Sequence, residues 1–443
     1  MAQDRAADAA RARRAVSLDP RDRVSWHNLA AAEGDLGNAR EAERAARRAL
    51  ELGIAAPETR LVLARALQDL NRLDEAERVF EEAIALRPLY PEAHRDLAQL
   101  RWMRTGSSEA ALRGLDDALR SAPRDVALHH VRSVALEFIG DQPGALATAE
   151  AGLAFAPAAL PLLRQAAHLC AALGEASRAV TFARRAAASV PDLPAVQITL
   201  CEALFAAGDV AQAESIAARV SASDPLDQHA LAFRATAWRL LGDPRYAALY
   251  DYERLTYAEI IDAPLEELAV DLNALHRYRA HPFQQSVRGG GQLPLNAAEL
   301  ARPSIGRLFE RFRAVVERHL ARVGRGDDPF RARNSGQFRQ AGAWSVRLSS
   351  GGYHTDHVHQ RGWISSAFYV SLPPVMQPEA AHAGWLRLGR PGITTKPALE
   401  ADFRVKPERG KLVLFPSYMW HGVEPFESDA PRLTVAFDAV PQG

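Results

Sequence analysis

Two cysteines in 443 residues, Cys170 and Cys201, cannot build a disulfide framework. Both fall within apolar helical patterns, so they read as small core residues of a reducing compartment. Long apolar runs are missing too: nothing approaches the ~18 consecutive apolar residues that a membrane span requires. The stretch MAQDRAADAARARRAV is charged throughout and lacks the apolar heart of a signal peptide, which predicts a cytoplasmic protein without a membrane anchor. Charge of one sign is not in excess either. Lysine plus arginine and aspartate plus glutamate number 54 each, so no bulk field draws the chain to phosphate backbones, and nucleic acid is not an expected partner. The length calls for more than one core.

What the chain does have is a period. Gly140, Gly174, Gly208 and Gly242 stand 34 residues apart, as do Pro123, Pro157, Pro191 and Pro225, and Ala145, Ala179 and Ala213. Upstream, Ala30, Ala64 and Ala98 keep the same step, as do Ala42, Ala76 and Ala110, before a slip of one residue around Gly106-Ser107-Ser108. Small residues where two helices approach, glycine at the turn and proline at the repeat's end predict helical hairpins. With Trp26…Leu29 and Phe80…Pro88 the period resembles the tetratricopeptide repeat, although alanine or leucine often replaces that family's aromatics. About seven repeats fit between residues 22 and 255, preceded by a lone helix over 2–19 that reads as half of a truncated repeat. The resemblance implies a superhelical groove that takes an extended peptide or protein. The alternative is an array that dimerises the chain, giving a homo-oligomer, or orients its second half. Trp102 and Trp238 are expected in hairpin cores, and the scattered His27, His94, His129, His130, His168 and His229 in packing or surface roles.

From about Tyr246 the period fails. The stretch DYERLTYAEIIDAPLEELAVDLNALHRYRAHPF predicts a helix within irregular chain, and 284–291, ending in three glycines, predicts a loop. IGRLFERFRAVVERHLARVG is an amphipathic helix with Leu308, Phe312, Val315, Val316 and Leu320 toward a core. After residue 340 the pattern changes to short apolar runs between Gly and Pro: AWSVRLSSGG, ISSAFYVSLPP, GWLRLGRPG, GKLVLFPSYMW and RLTVAFDAVP, which read as strands. The expected division is 1–255 for the repeats, 256–339 for connector and bracing helices and 340–443 for a strand-built catalytic core, with repeats and strands in separate cores.

Four histidines and an aspartate fall near strand ends: His354, Asp356, His357, His359 and His421. An open metal site needs ligands on one side, and i, i+2 residues of a strand point the same way. Two such pairs overlap, His354-x-Asp356 and His357-x-His359, and their opposite parity forbids a regular strand from aiming both at one ion.

The segment resembles a family of iron(II)/2-oxoglutarate oxygenases that often follow tetratricopeptide arrays. The likeness spans roughly 280–443 and rests on Trp344, Gly352-Tyr353, His357-Val358-His359, Gly362-Trp363, Ser365-Ser366, Tyr369, Pro373, Gly384-Trp385-Leu386, Gly410, Phe415-Pro416-Ser417, His421, Arg432 and Ala436-Phe437. It implies a double-stranded β-helix, or jelly roll, braced by helices and following an all-α repeat solenoid. It also implies iron(II), 2-oxoglutarate and O2, and a hydroxylation whose substrate the repeats would recognise. His357, His359 and His421 inherit the ligand role, which leaves either a three-histidine site or one in which Asp356 supplies an oxygen. Arg432, with Thr434 two residues on, inherits the grip on the distal carboxylate of 2-oxoglutarate, and Tyr369 either reaches the cosubstrate too or serves as a core aromatic of the barrel. Arg432 and Thr434 share a strand face opposite Leu433, Val435 and Phe437. The rival readings are a zinc-binding jelly roll and a non-catalytic one serving a repeat scaffold.

Overall fold

The structure, a computed structural model, describes residues 2–376 and 382–442. Its contacts divide the chain into two compact units, Met1–Gly140 and Asp141–Gly443.

The first unit is a run of antiparallel helices. Its opening helix, Ala2–Leu18, packs on Arg23–Asp35 and is pinned by Arg13, whose guanidinium donates to both carboxylate oxygens of the buried Glu33 at 2.7 and 2.9 Å. Alanines fill the helix contacts: Ala42, Ala45, Ala46 and Ala49 are fully buried, as is Ala76. The slip in the period has a local cause. Gly106 ends the helix Pro91–Thr105 at φ 69°, and Ser107 caps the next helix at once, its hydroxyl accepting from the Ala110 N–H. The small residue buried at the following contact is therefore Ala111, while Ala110, in register by simple counting, is only half-buried.

The second unit opens with further hairpins. Gly140, the last residue of the first unit, and Gly208 adopt the left-handed conformation at φ 106° and 82°, where a side chain would be strained, and Asp141 and Asp209 cap the helices that follow. Cys170 and Cys201 are buried and free.

The strands form one antiparallel sheet curved into a half-barrel: β1 (Tyr257–Ile260), β2 (Val287–Pro294), β3 (Phe338–His357), β4 (Ile364–Ser371), β5 (Leu386–Leu388), β6 (Phe403–Val405), β7 (Lys411–Pro416), β8 (His421–Val423) and β9 (Arg432–Pro441). Their order is β1-β7-β4-β9-β3-β8-β5-β6, with β2 also paired to β3. This is the helical solenoid followed by the antiparallel sheet of a jelly-roll arrangement. The helix Pro303–Val323 braces it, laying Phe312 on Phe437 at 5.0 Å and Phe368 at 5.1 Å between ring centres. Each phenylalanine so buried contributes about 2–3 kcal/mol.

Three expectations are corrected. Residues 287–291 are not loop but the start of β2, because their glycines let two backbones touch. A Cβ on Gly290 would stand 2.3 Å from the Arg347 carbonyl oxygen, so only glycine allows the strand to lie down there. The connector holds an edge strand, β1, besides the helix Leu265–Asn273. Nor do repeats and strands keep separate cores. One continuous apolar cluster runs from Cys201, Phe233 and Trp238 through Tyr250, Leu268 and Phe312 to Trp363, Leu414 and Trp420.

Candidate metal centre

Along the edge opposite β2, β3 is long enough to serve two partners, and the site lies where it passes from one to the other. Phe338–Leu348 pairs with β9, and the last residues pair with β8, placing His357 opposite His421. Between His354 and His357 the register shifts by one residue. This irregularity answers the parity problem, since it turns His357 toward the ring of His421, 4.1 Å away between centres. His359 lies two residues beyond the strand in a tight turn: its N–H donates to the Ser417 carbonyl, and its own carbonyl accepts from Gly362. A Cβ at Gly362 would meet the Ser417 hydroxyl at 2.3 Å.

One potential donor atom from each of His357, His359 and His421 lies within 4.8 Å of the others, and the trio could hold a metal ion. Their hydrogen bonds define which atoms. His357 Nδ1 lies 2.9 Å from the Thr355 carbonyl oxygen and His421 Nδ1 2.9 Å from that of Met419. His359 Nδ1 lies 2.6 Å from both carboxylate oxygens of Asp438. Carbonyl and carboxylate oxygens only accept, so each Nδ1 carries a proton and Nε2 is the atom on which each ring, when neutral, has its lone pair. The His357 and His359 Nε2 atoms are 3.2 Å apart. Burial, then the neighbouring His359, pushes His357 down to about 3, and burial holds His421 well below the ordinary histidine range. Burial also works against charge on His359, but Asp438, through charge and hydrogen bond together, leaves it raised.

Asp438 escaped the sequence reading, while Ser365 and Ser417, which hold it, entered there only as residues of the resemblance with no role assigned. Ser365 donates to Asp438 at 3.0 Å and reaches Ser417 at 2.9 Å, all three side chains buried. The available signal was parity: 432, 434 and 438 share one face of β9.

The alternative carboxylate is occupied elsewhere. Asp356 points away from the trio and receives Arg387 at 2.8 and 3.1 Å and Arg390 at 2.6 Å. Arg387 also reaches Glu424, at 2.9 Å, so the pair is a buried, paired charge cluster on the strands behind the trio. His354 bonds Ser286 at 3.0 Å and stacks beside His357 without joining the trio.

Arg432 and Thr434 are buried on β9, and Tyr369 stands opposite Thr434 on β4. The Arg432 guanidinium lies over the Tyr369 ring, 5.1 Å from its centre, with Thr434 at a long 3.5 Å. Among the described residues, Arg432 Nε and the Tyr369 hydroxyl find no hydrogen-bond partner. Buried donors of this kind are normally satisfied. A carboxylate anion would satisfy both, as three neutral imidazoles suit a divalent transition metal. Leu433, Val435 and Phe437 are buried on the opposite face, Phe437 against the bracing helix.

Comparison with known proteins agrees with both halves. Residues 342–438 match the family described as "Putative 2OG-Fe(II) oxygenase". Residues 57–100 and 171–237 match tetratricopeptide repeat families. The chain thus joins a region that matches tetratricopeptide repeats to one that matches this oxygenase family. Similar solved structures include a thermophilic TPR protein of Thermus thermophilus (27% identity, 42% of this chain and 99% of that one, TM-score 0.32) and a tetratricopeptide repeat protein of Parabacteroides merdae (16%, 52% and 91%, 0.39). PilF of Pseudomonas aeruginosa is another (16%, 49% and 100%, 0.36). No curated protein matches the chain in sequence. Among the described residues, no helix is long and apolar enough to cross a membrane.

Proposed function

We propose that this chain is an iron(II)- and 2-oxoglutarate-dependent oxygenase that hydroxylates a peptide or protein held by its repeats. Residues 1–255 act as the recognition array, 256–339 as connector and brace, and 340–443 as the catalytic core, in a cytoplasmic protein. The observation that carries the reading is the juxtaposition of three convergent imidazoles with a buried arginine whose Nε, among the described residues, has no hydrogen-bond partner. His357, His359 and His421 would hold the metal through Nε2, each oriented by its Nδ1–H donor bond. Iron with 2-oxoglutarate and O2 supplies oxidative decarboxylation to succinate and carbon dioxide, together with the oxidising power for hydroxylation.

The chain's own part is positional. Arg432 would form a charge-assisted pair with the distal carboxylate of 2-oxoglutarate, while Tyr369 and Thr434 offer hydroxyls beside it. Asp356 takes no part in the ligand set on this reading, because two arginines hold it. Three histidines would also suit zinc, but that reading leaves Arg432 and Tyr369 without a purpose.

Purified chain should bind iron(II) anaerobically and release succinate from 2-oxoglutarate in air. His421→Ala should abolish metal binding and leave the helical signal in place. Preference for zinc, with no 2-oxoglutarate consumption under iron(II), would overturn the proposal.

A further inference from the structure

Two of the three histidines sit one residue away from anchor points on the last helical hairpin. The residue after His359 is Gln360, whose carbonyl accepts from the Gln228 N–H at 3.1 Å and whose amide reaches Asp227 at 3.3 Å. Arg361 then pairs with Asp224 at 2.5 Å. The residue before His421 is Trp420. Its indole N–H donates to the Thr236 hydroxyl at 3.0 Å, with the Ala232 carbonyl a longer 3.3 Å away. Its backbone N–H donates to the Tyr250 hydroxyl at 3.1 Å, and that hydroxyl donates to the Tyr418 carbonyl at 2.9 Å. The Tyr418 hydroxyl closes the loop by donating to the Leu249 carbonyl at 3.0 Å.

The bonds of Trp420, Tyr250 and Tyr418 are buried, and the rings around them interlock: Phe233 packs on Trp420 at 6.0 Å and Tyr250 on Tyr418 at 5.9 Å. At the other end of the helix Gln228–Leu241, Arg239 holds the Gly389 and Glu400 carbonyls at 3.0 and 2.8 Å. One helical face therefore fastens the turn carrying His359, the approach to β8 carrying His421, and the segment between β5 and β6.

We infer that the last hairpin, with the short helix Arg245–Leu249 that leads from it to Tyr250, is a positioning element of the metal centre, acting through Thr236 and Tyr250 on Trp420 and hence on His421. The inference rests on the metal-centre reading above. Thr236 and Tyr250 touch no ligand atom and are not catalytic residues. They set where His421 stands relative to His357 and His359, so the state of the repeat is felt at the metal.

The test uses the full-length chain and cobalt(II) as a visible-absorbing probe. Thr236→Val keeps the shape and removes the indole's nearer acceptor; Tyr250→Phe removes the hydroxyl that joins Trp420 to Tyr418. Each should weaken cobalt(II) binding about tenfold, the lower end of what outer-shell partners contribute, and alter the d–d spectrum. Thr236→Ser, which restores the hydroxyl, should behave as wild type, and helicity should be unchanged in all three. Wild-type affinity and spectrum in both Thr236→Val and Tyr250→Phe would overturn the inference, as would affinity losses that merely follow losses of helicity. If wild-type chain itself shows no cobalt(II) signal, the metal-centre reading falls instead, so the two failures are told apart.

Discussion

A neutral imidazole has one lone pair to give, and the partner of its other nitrogen decides which atom gives it. In this site two backbone carbonyls and one carboxylate make that choice, and only the carboxylate adds charge. Asp438→Asn keeps the shape and an acceptor for His359 while removing the charge. It should weaken metal binding about 10-fold or more with little change in melting temperature, as read by anaerobic iron(II) titration beside a thermal scan. Arg432→Ala removes the buried guanidinium and should weaken 2-oxoglutarate binding by about 2 kcal/mol or more, measurable by calorimetry on the metal-loaded chain. Unchanged affinity would remove Arg432 from the cosubstrate's site. The histidines could be singled out in the sequence because two stand at i, i+2 and the third follows a strand. Asp438 shares a strand face with Arg432 and Thr434, but the ring it holds is 79 residues away and nothing local marks that pairing.

At the scale of elements, periodic apolar pattern made the hairpins, the bracing helix and the five main strands readable. β2 escaped because its glycines, which look like loop, are what close backbone approach requires. The register shift in β3 escaped because it appears only when β8 is laid beside it. The bracing helix carries a liability of its own. His319 is buried on it between Tyr257 and Phe330, with neither ring nitrogen hydrogen-bonded among the described residues, and burial pushes it from 6.5 down to about 3. The folded chain keeps this ring neutral, whereas the unfolded chain protonates it below about 6.5. Its contribution to stability is thus whole above that pH and shrinks as pH falls toward about 3, by up to about 1.4 kcal/mol per unit. His319→Leu should therefore lose less melting temperature than wild type between about pH 6.5 and pH 4.5. Parallel curves in differential scanning fluorimetry would contradict this.

For the whole molecule, the continuous core of the second unit decides where the chain can be cut. A fragment of 256–443 strips Phe233, Trp238 and Tyr250 from the apolar surface around Trp420, and it should be insoluble or fail to bind metal. A fragment of 141–443 keeps that cluster, and it should fold with a cobalt(II) affinity equal to that of the full chain. Circular dichroism and metal titration of the two fragments check both outcomes, and a well-folded, metal-binding 256–443 would show that the shared core is dispensable.

The glycine turns of the array give this asymmetry a further consequence. Because Gly140, Gly174 and Gly208 recur every 34 residues, a whole hairpin can be spliced in or deleted upstream of Gly208 with each flanking turn left in phase. The hairpin that follows Gly208 has no such freedom, being fastened to the sheet. The front of the array can therefore be lengthened or shortened by whole hairpins while the end that holds His357, His359 and His421 is left unaltered.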